Sequence, residues 1–301
     1  MEAEEIELYV KAGKIAKTVI DKVEDLVKKG RKLLDICEYI EKEIAYLGGR
    51  PAFPVNIAIN HIAAHYTPKF DDDSRILEDS LVKVDVGVHV EGRIADVAKT
   101  VNIGSEHEEL IIAAEEALDK ALQKIAPKVR IMDVSAVIEK TIKYYGLKPI
   151  TNLTGHELAP YIIHAGTTIP NVWSPGHITP MAKFEPGHVY AIEPFVTFKT
   201  AVGEVIDGPG STIYRLIKFK PPKNMEELFN FISENYKTLP FAQRWIVEKF
   251  GKDALKLLKE MTLSRFIMEY PVLIERSNGL VAQAEHTVLI MDKEVLVTTL
   301  D

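Results

Sequence analysis

Five side chains able to hold metal ions stand in apolar surroundings, where charge is costly: Asp85, Asp96, His156, Glu193 and Glu285. Asp85 lies in Val84-Asp85-Val86-Gly87-Val88 and Asp96 in Ile94-Ala95-Asp96-Val97-Ala98. The alternation of Val84, Val86, Val88 and Val90 predicts a strand over Leu81 to Val90. Glu91-Gly92 then supplies a hairpin turn back through Arg93 to Ile103, so the two aspartates should stand close to opposite one another. Like charges a few ångströms apart raise each other's pKa. A buried pair therefore needs a shared proton or a cation held by both.

The later sequence offers matching groups. His156 follows Gly155 in Asn152-Leu153-Thr154-Gly155-His156. Glu193 closes the apolar run Val189-Tyr190-Ala191-Ile192, and Pro194 biases it to extended backbone. Glu285 sits in Val281-Ala282-Gln283-Ala284-Glu285-His286-Thr287-Val288. Singly, each has a structural account: turn hydrogen bonds for an aspartate, a satisfied core imidazole for His156, a buried cation beside either glutamate. Together they exceed what one divalent ion needs. They suit two ions about 3.5–4 Å apart, bridged by carboxylate and water, which is machinery for hydrolysis.

The elements that must position these groups come in two similar runs. Apolar residues at helical spacing from Ile6 to Val27 predict one long helix ending at Lys28-Lys29-Gly30. A second helix, from about Leu33 to Leu47, stops at Gly48-Gly49, and extended segments follow at Ala52 to Ile59, Leu81 to Val90 and Arg93 to Ile103. Ser105-x-x-Glu108 reads as a capping box opening a helix to about Ile125, and Asp133 as the cap of another ending at Tyr145-Gly146. Extended segments return at Thr151 to Leu158, His188 to Thr197 and Gly279 to Met291. Two helices then strands, twice, point to two related halves forming one α/β layer pair.

Residues 214–270 break that order. Asn224-x-x-Glu227, Phe241 to Phe250 and Asp253 to Met261 predict three short helices, giving an inserted helical subdomain between 1–213 and 271–301. The insert has 11 Lys+Arg against 7 Asp+Glu and is net positive in an acidic chain. A solvated, stabilising insert is the simplest reading; a basic face for an RNA-rich partner is the alternative.

Composition narrows the class. With 301 residues, 47% hydrophobic, the chain has ample core, and its net charge of -7 disfavours nucleic acid as a main ligand. Cys37 alone permits no intrachain disulfide and no cysteine-rich zinc site. The acidic start, Met1-Glu2-Ala3-Glu4-Glu5, is unlike a signal peptide, and no apolar run is long enough to cross a bilayer. A soluble, cytoplasmic protein is expected.

The ordered set His65 in Ala63-Ala64-His65-Tyr66-Thr67-Pro68, Asp85, Asp96, Gly155-His156, His164-Ala165-Gly166, Ile192-Glu193-Pro194 and Glu285-His286-Thr287 resembles methionine aminopeptidases. The helical insertion before the last glutamate resembles their type II class in its short archaeal form. The resemblance covers nearly the whole chain and implies the pita-bread fold, α+β with two pseudo-symmetric halves, and a dinuclear metal centre on Asp85, Asp96, His156, Glu193 and Glu285. The cofactor would be two divalent ions, among Co, Mn, Fe or Zn. It also implies that His164 hydrogen-bonds substrate near the scissile carbonyl, that His65 stands at the substrate pocket, and that Phe53, Ile163 and Tyr270 line the methionine pocket. Phe53 and Ile163 read equally well as core, and Tyr270 before Pro271 as a hinge. The eight-residue separation of His156 and His164 would let both face one side of extended structure. Implied partners are N-terminal methionine peptides and nascent chains with a small second residue, with transient ribosome contact, no membrane and a monomeric state.

Two rivals stand beside this reading. Aminopeptidases or dipeptidases acting before proline share the fold but usually add an N-terminal domain, for which the chain leaves little room. A non-catalytic relative binding peptides, RNA or ribosomes would have lost metal ligands, and all five are here.

Overall fold

The computed structural model describes residues 1–173, 181–221 and 225–300. Its first half packs helices Ala3–Ile20 and Leu33–Tyr46 on a sheet of Arg50–Pro51, Asn56–Ile59, Ser80–Val90 and Arg93–Ile103. The apolar faces the periodicity marks meet there: Ala12, Val19, Ile36 and Ile40 close on Val84, Val86 and Val97. Ser80–Val90 pairs with Arg93–Ile103 in unbroken antiparallel register. Glu91 (φ 50) and Gly92 (φ 87) make the turn, with both central residues left-handed, as a tight two-residue hairpin requires.

The second half repeats the plan. Helices Glu108–Lys124 and Ile131–Tyr144 pack on strands from two sheets, among them Val189–Ile192, Phe195–Thr197, Val281–Gln283 and His286–Ile290. The halves meet where Arg93–Ile103 runs beside residues 283–287, through an isolated bridge between Ala98 and Glu285. Tyr9, Phe53, Ile94, Leu158, Ile163, Ala191 and Leu289 form a smaller core across this seam.

Several boundaries differ from the sequence reading, for local reasons. The first helix ends at Ile20 and resumes as Val23–Leu26, because the chain tightens at Lys22, whose N–H donates to Val19 O at 3.2 Å. The capping box does not form. Ser105 Oγ accepts from His107 N instead, Glu108 bonds Asn102, and the helix opens at Glu108. Asp133 lies inside the first turn, in a forked ion pair with Arg130, which holds the cap position. The runs expected as single strands at His188 to Thr197 and Gly279 to Met291 each break at the glutamate, leaving Glu193 and Glu285 between strands.

Residues of the inserted segment build their own layer. Ile213–Leu216 pairs with Phe241–Ala242 and Ile267–Tyr270, and helices Glu226–Asn235, Gln243–Phe250 and Ala254–Leu263 cover it around Phe229, Ile232, Ile246 and Met261. Asn224, expected to cap the first of these helices, lies outside the described residues.

Candidate metal centre

The hairpin fixes the first two acids. Asp85 pairs in register with Ala98 and Asp96 with Gly87, so the aspartates are diagonal neighbours on one face rather than directly opposite. Their carboxyls are close enough that each shifts the other's proton affinity. His156 sits mid-strand in Thr154–Leu158, where it pairs with Ala191. Gly155 before it has no room for a side chain: a Cβ would lie 2.4 Å from Ala191 O. Close strand approach thereby carries the imidazole toward the hairpin. Its Nε2 stands 3.4 Å from Glu193 Oε1 and 3.8 Å from Asp96 Oδ2.

Glu193 and Glu285 reach the same point from strand breaks. Pro194, with no N–H, follows the end of the pairing at Ile192, and Glu193 between them lines the cavity. Glu285 is tied to the first half through its own backbone, donating to Ala98 O at 3.0 Å. Donor atoms of Asp96, His156 and Glu285 all lie within 4.8 Å of one another.

The electrostatics fit a cation. Burial raises the Asp85 carboxyl to about 7. Burial first, then neighbouring carboxylates, push Asp96, Glu193 and Glu285 well above the ordinary range. Burial, then His164, pushes His156 well down. Asp85 Oδ1, Asp96 Oδ1 and Glu285 Oε1 are buried with no hydrogen-bond partner. Among the described residues, no lysine or arginine ion-pairs with any of these acids. Groups so arranged need protons or divalent cations, and an oxygen-rich set with one imidazole is suited to Mn, Fe, Co or Zn.

All five border a cavity of about 340 Å³, which His65, His164, Phe53, Ile163 and Tyr270 also line. Phe53 and Ile163 are core and wall at once, buried in the seam cluster with an edge toward the cavity. His156 and His164 meet edge-on with centroids 4.4 Å apart, and the His65 ring meets Tyr270 edge-on at 5.4 Å. His164 does not arrive along a strand. The chain turns back after Leu158 through Tyr161 (φ 62), and Ala165 N donates to Glu157 O. Tyr161 N donates to Gly92 O at 2.9 Å, and Thr238 of the insert donates to Tyr161 O, so this turn is held from two sides. Burial pushes His65 down to about 4. Burial pushes His164 down to about 4 as well, although the residue opens to solvent at the cavity.

Sequence reasoning missed the ties between the halves. Thr287 Oγ1 accepts from Asp96 N at 2.7 Å and donates to Asp96 O at 2.8 Å. Thr100 Oγ1 treats Gln283 N and O the same way, at 2.8 and 2.7 Å. Gln283 Nε2 donates to Glu285 Oε2 at 3.3 Å. The period of two through Gln283, Glu285 and Thr287 was the available signal. It marks one face, but not what that face meets.

Residues 7–291 match metallopeptidase family M24. Methionine aminopeptidases of Thermococcus kodakarensis and Methanocaldococcus jannaschii are 43% identical over 299 residues and 41% identical over 301 residues. These alignments cover 98% and 99% of this chain and 100% of each relative. The chain belongs to family M24. Solved structures show how far the M24 fold extends. A methionine aminopeptidase of Thermotoga maritima superposes with TM-score 0.72 at 21% identity, covering 100% of this chain and 98% of that one. A thermophilic Arx1 gives 0.86 at 17%, covering 99% and 91%. The prolidase of Pyrococcus furiosus gives 0.61 at 18%, and this chain spans only 65% of it. The pita-bread fold, α+β with two similar halves, is thus the architecture of this M24 member.

Proposed function

We propose that this M24 methionine aminopeptidase removes the N-terminal methionine of peptides and nascent chains through a dinuclear centre on Asp85, Asp96, His156, Glu193 and Glu285. The observation that carries this reading is the convergence of four buried or half-buried acids and an imidazole, none of the acids ion-paired with a lysine or arginine among the described residues. Two divalent ions at such a site supply Lewis-acid polarisation of the scissile carbonyl and a more acidic water.

The chain's own groups do the rest. Glu193, which lines the cavity 3.4 Å from His156 Nε2, takes a proton from the attacking water and returns it to the leaving amine. His164 and His65 are held neutral or nearly so by burial, so they can hydrogen-bond substrate oxygen and stabilise developing charge there. Phe53, Ile163 and Tyr270 exclude water around the methionine side chain, whose flexible thioether suits an aromatic-walled site. The acids favour a free α-amine, which sets the cut after one residue. The limited cavity restricts the second residue to small side chains.

The enzyme works as a monomer in the cytoplasm, with transient ribosome contact and no specific nucleic acid. Among the described residues no helix is long and apolar enough to cross a membrane. Residues 1–213 and 271–301 form the catalytic unit, and 214–270 the inserted subdomain.

Cleavage of Met-Gly and Met-Ala peptides, measured with and without a chelator, tests the reading. Release of methionine that the chelator abolishes and divalent metal restores is expected. Chelator-resistant cleavage, or hydrolysis confined to bonds before proline, would overturn it.

A further inference from the structure

Arg244, on the inserted helix Gln243–Phe250, is 4% exposed and reaches out of its own layer into the first half. Its guanidinium pairs with Glu41 on helix Leu33–Tyr46 and donates from Nη1 to Thr67 Oγ1 at 2.7 Å and to Pro68 O at 3.1 Å. Glu41 is held in turn by Trp245 Nε1 at 2.9 Å and by Val55 N at 3.1 Å. The Thr67 hydroxyl donates to Val55 O at 2.7 Å, and Thr212 Oγ1 donates to Thr67 O at 2.6 Å.

Two residues before Thr67 stands His65, with φ 61. A β-carbon disfavours that left-handed backbone, so it persists only where neighbours hold it on both sides. Strand Ile62–Ala64 holds one side. On the other side, Arg244 grips Thr67 and Pro68. A planar fork serves three acceptors on two segments, which the point charge of lysine cannot reproduce.

We propose that Arg244 is a positioning residue for catalysis: from the insert, it holds the 65–68 segment so that His65 faces the cavity at its working angle. The proposal rests on the reading of His65 as a substrate-facing group. It gives the insert a task beyond stability, and it makes Glu41 the counter-charge that keeps the guanidinium aimed.

The test is steady-state kinetics of the metal-loaded full chain on a Met-Ala peptide, for Arg244→Met, His65→Ala and the double variant. Arg244→Met should lower kcat by about 10-fold or more, with bound metal and KM close to the parent's. It should subtract nothing further in the His65→Ala background, because the two act through one group. Where Arg244→Met alone does not fold, Glu41→Gln/Arg244→Met removes both buried charges and enters the same cycle. Multiplying effects in the double variant, or parental kcat in Arg244→Met beside an impaired His65→Ala, would overturn the positioning role. A fully active His65→Ala would instead remove the reading of His65, and the proposal with it.

Discussion

The two halves deliver their acids to the centre in different ways. Asp85 and Asp96 sit deep inside a hairpin of two 11-residue strands whose ladder alone fixes their separation. Glu193 and Glu285 stand between strands, where no ladder rung holds the side chain's own neighbours on both sides. They depend on Pro194, on the Ala98 bridge and on hydroxyls of Thr287 and Thr100 that replace missing rungs. The first half is a rigid platform set by local pairing. The second is a set of arms whose aim comes from contacts that cross the seam.

His156 is the exception that probes this contrast, since it is mid-strand yet belongs to the second half. His156→Ala should abolish nearly all peptidase activity and much of the metal affinity, read by assay and by metal content. Full activity would remove the imidazole from the centre.

Metal removal should separate platform from ions. The folded, metal-free protein holds protons on acids whose pKa is raised, Asp85 to about 7, that the unfolded chain releases above about 4. At these acids the folded state binds more protons than the unfolded, so their contribution to metal-free stability is fully present below about 4 and is lost as pH rises toward 7 and beyond. A thermal melting series should therefore show a gap between metal-loaded and metal-free protein that widens with pH. A gap independent of pH would mean that these acids are balanced some other way.

Two glycines sharpen the comparison. A Cβ at Gly155 would meet backbone, Ala191 O at 2.4 Å, whereas one at Gly87 would meet the Phe53 ring at 2.2 Å. Gly155→Ala must push neighbouring strands away from each other and should cost about 3 kcal/mol in chemical denaturation. Gly87→Ala can turn Phe53 instead, so it should cost less stability while raising KM for methionine peptides. Equal losses in both would deny the difference between them.

Thr287→Val keeps shape and deletes the hydroxyl that both accepts from and donates to Asp96 backbone. It should weaken metal binding by about 10-fold, within the range of outer partners of metal ligands. Thr100→Val, one rung farther from the acids, should do less.

Much of this was readable in the sequence where chemistry is local. The hairpin and its turn follow from an unbroken period of two and from Glu91-Gly92, and the helix faces from apolar spacing. The five metal-binding candidates stood out because acids in apolar runs need a reason. What could not be read was long-range. Arg244 meets Glu41 and Thr67 across most of the chain, and the Thr287–Asp96 exchange spans a similar distance. Glu193 and Glu285 were placed within strands because composition marks an apolar run but not where its ladder stops. Even spacing of His156 and His164 suggested a shared strand face, yet a turn through Tyr161 brings the rings together. Local periodicity cannot show such a fold-back.

The most direct measurement is anomalous scattering from crystals of metal-loaded protein, recorded at the absorption edge of the bound metal. Two peaks about 3.5–4 Å apart, enclosed by Asp85, Asp96, His156, Glu193 and Glu285, are expected. A single peak, or peaks away from these five side chains, would contradict the account.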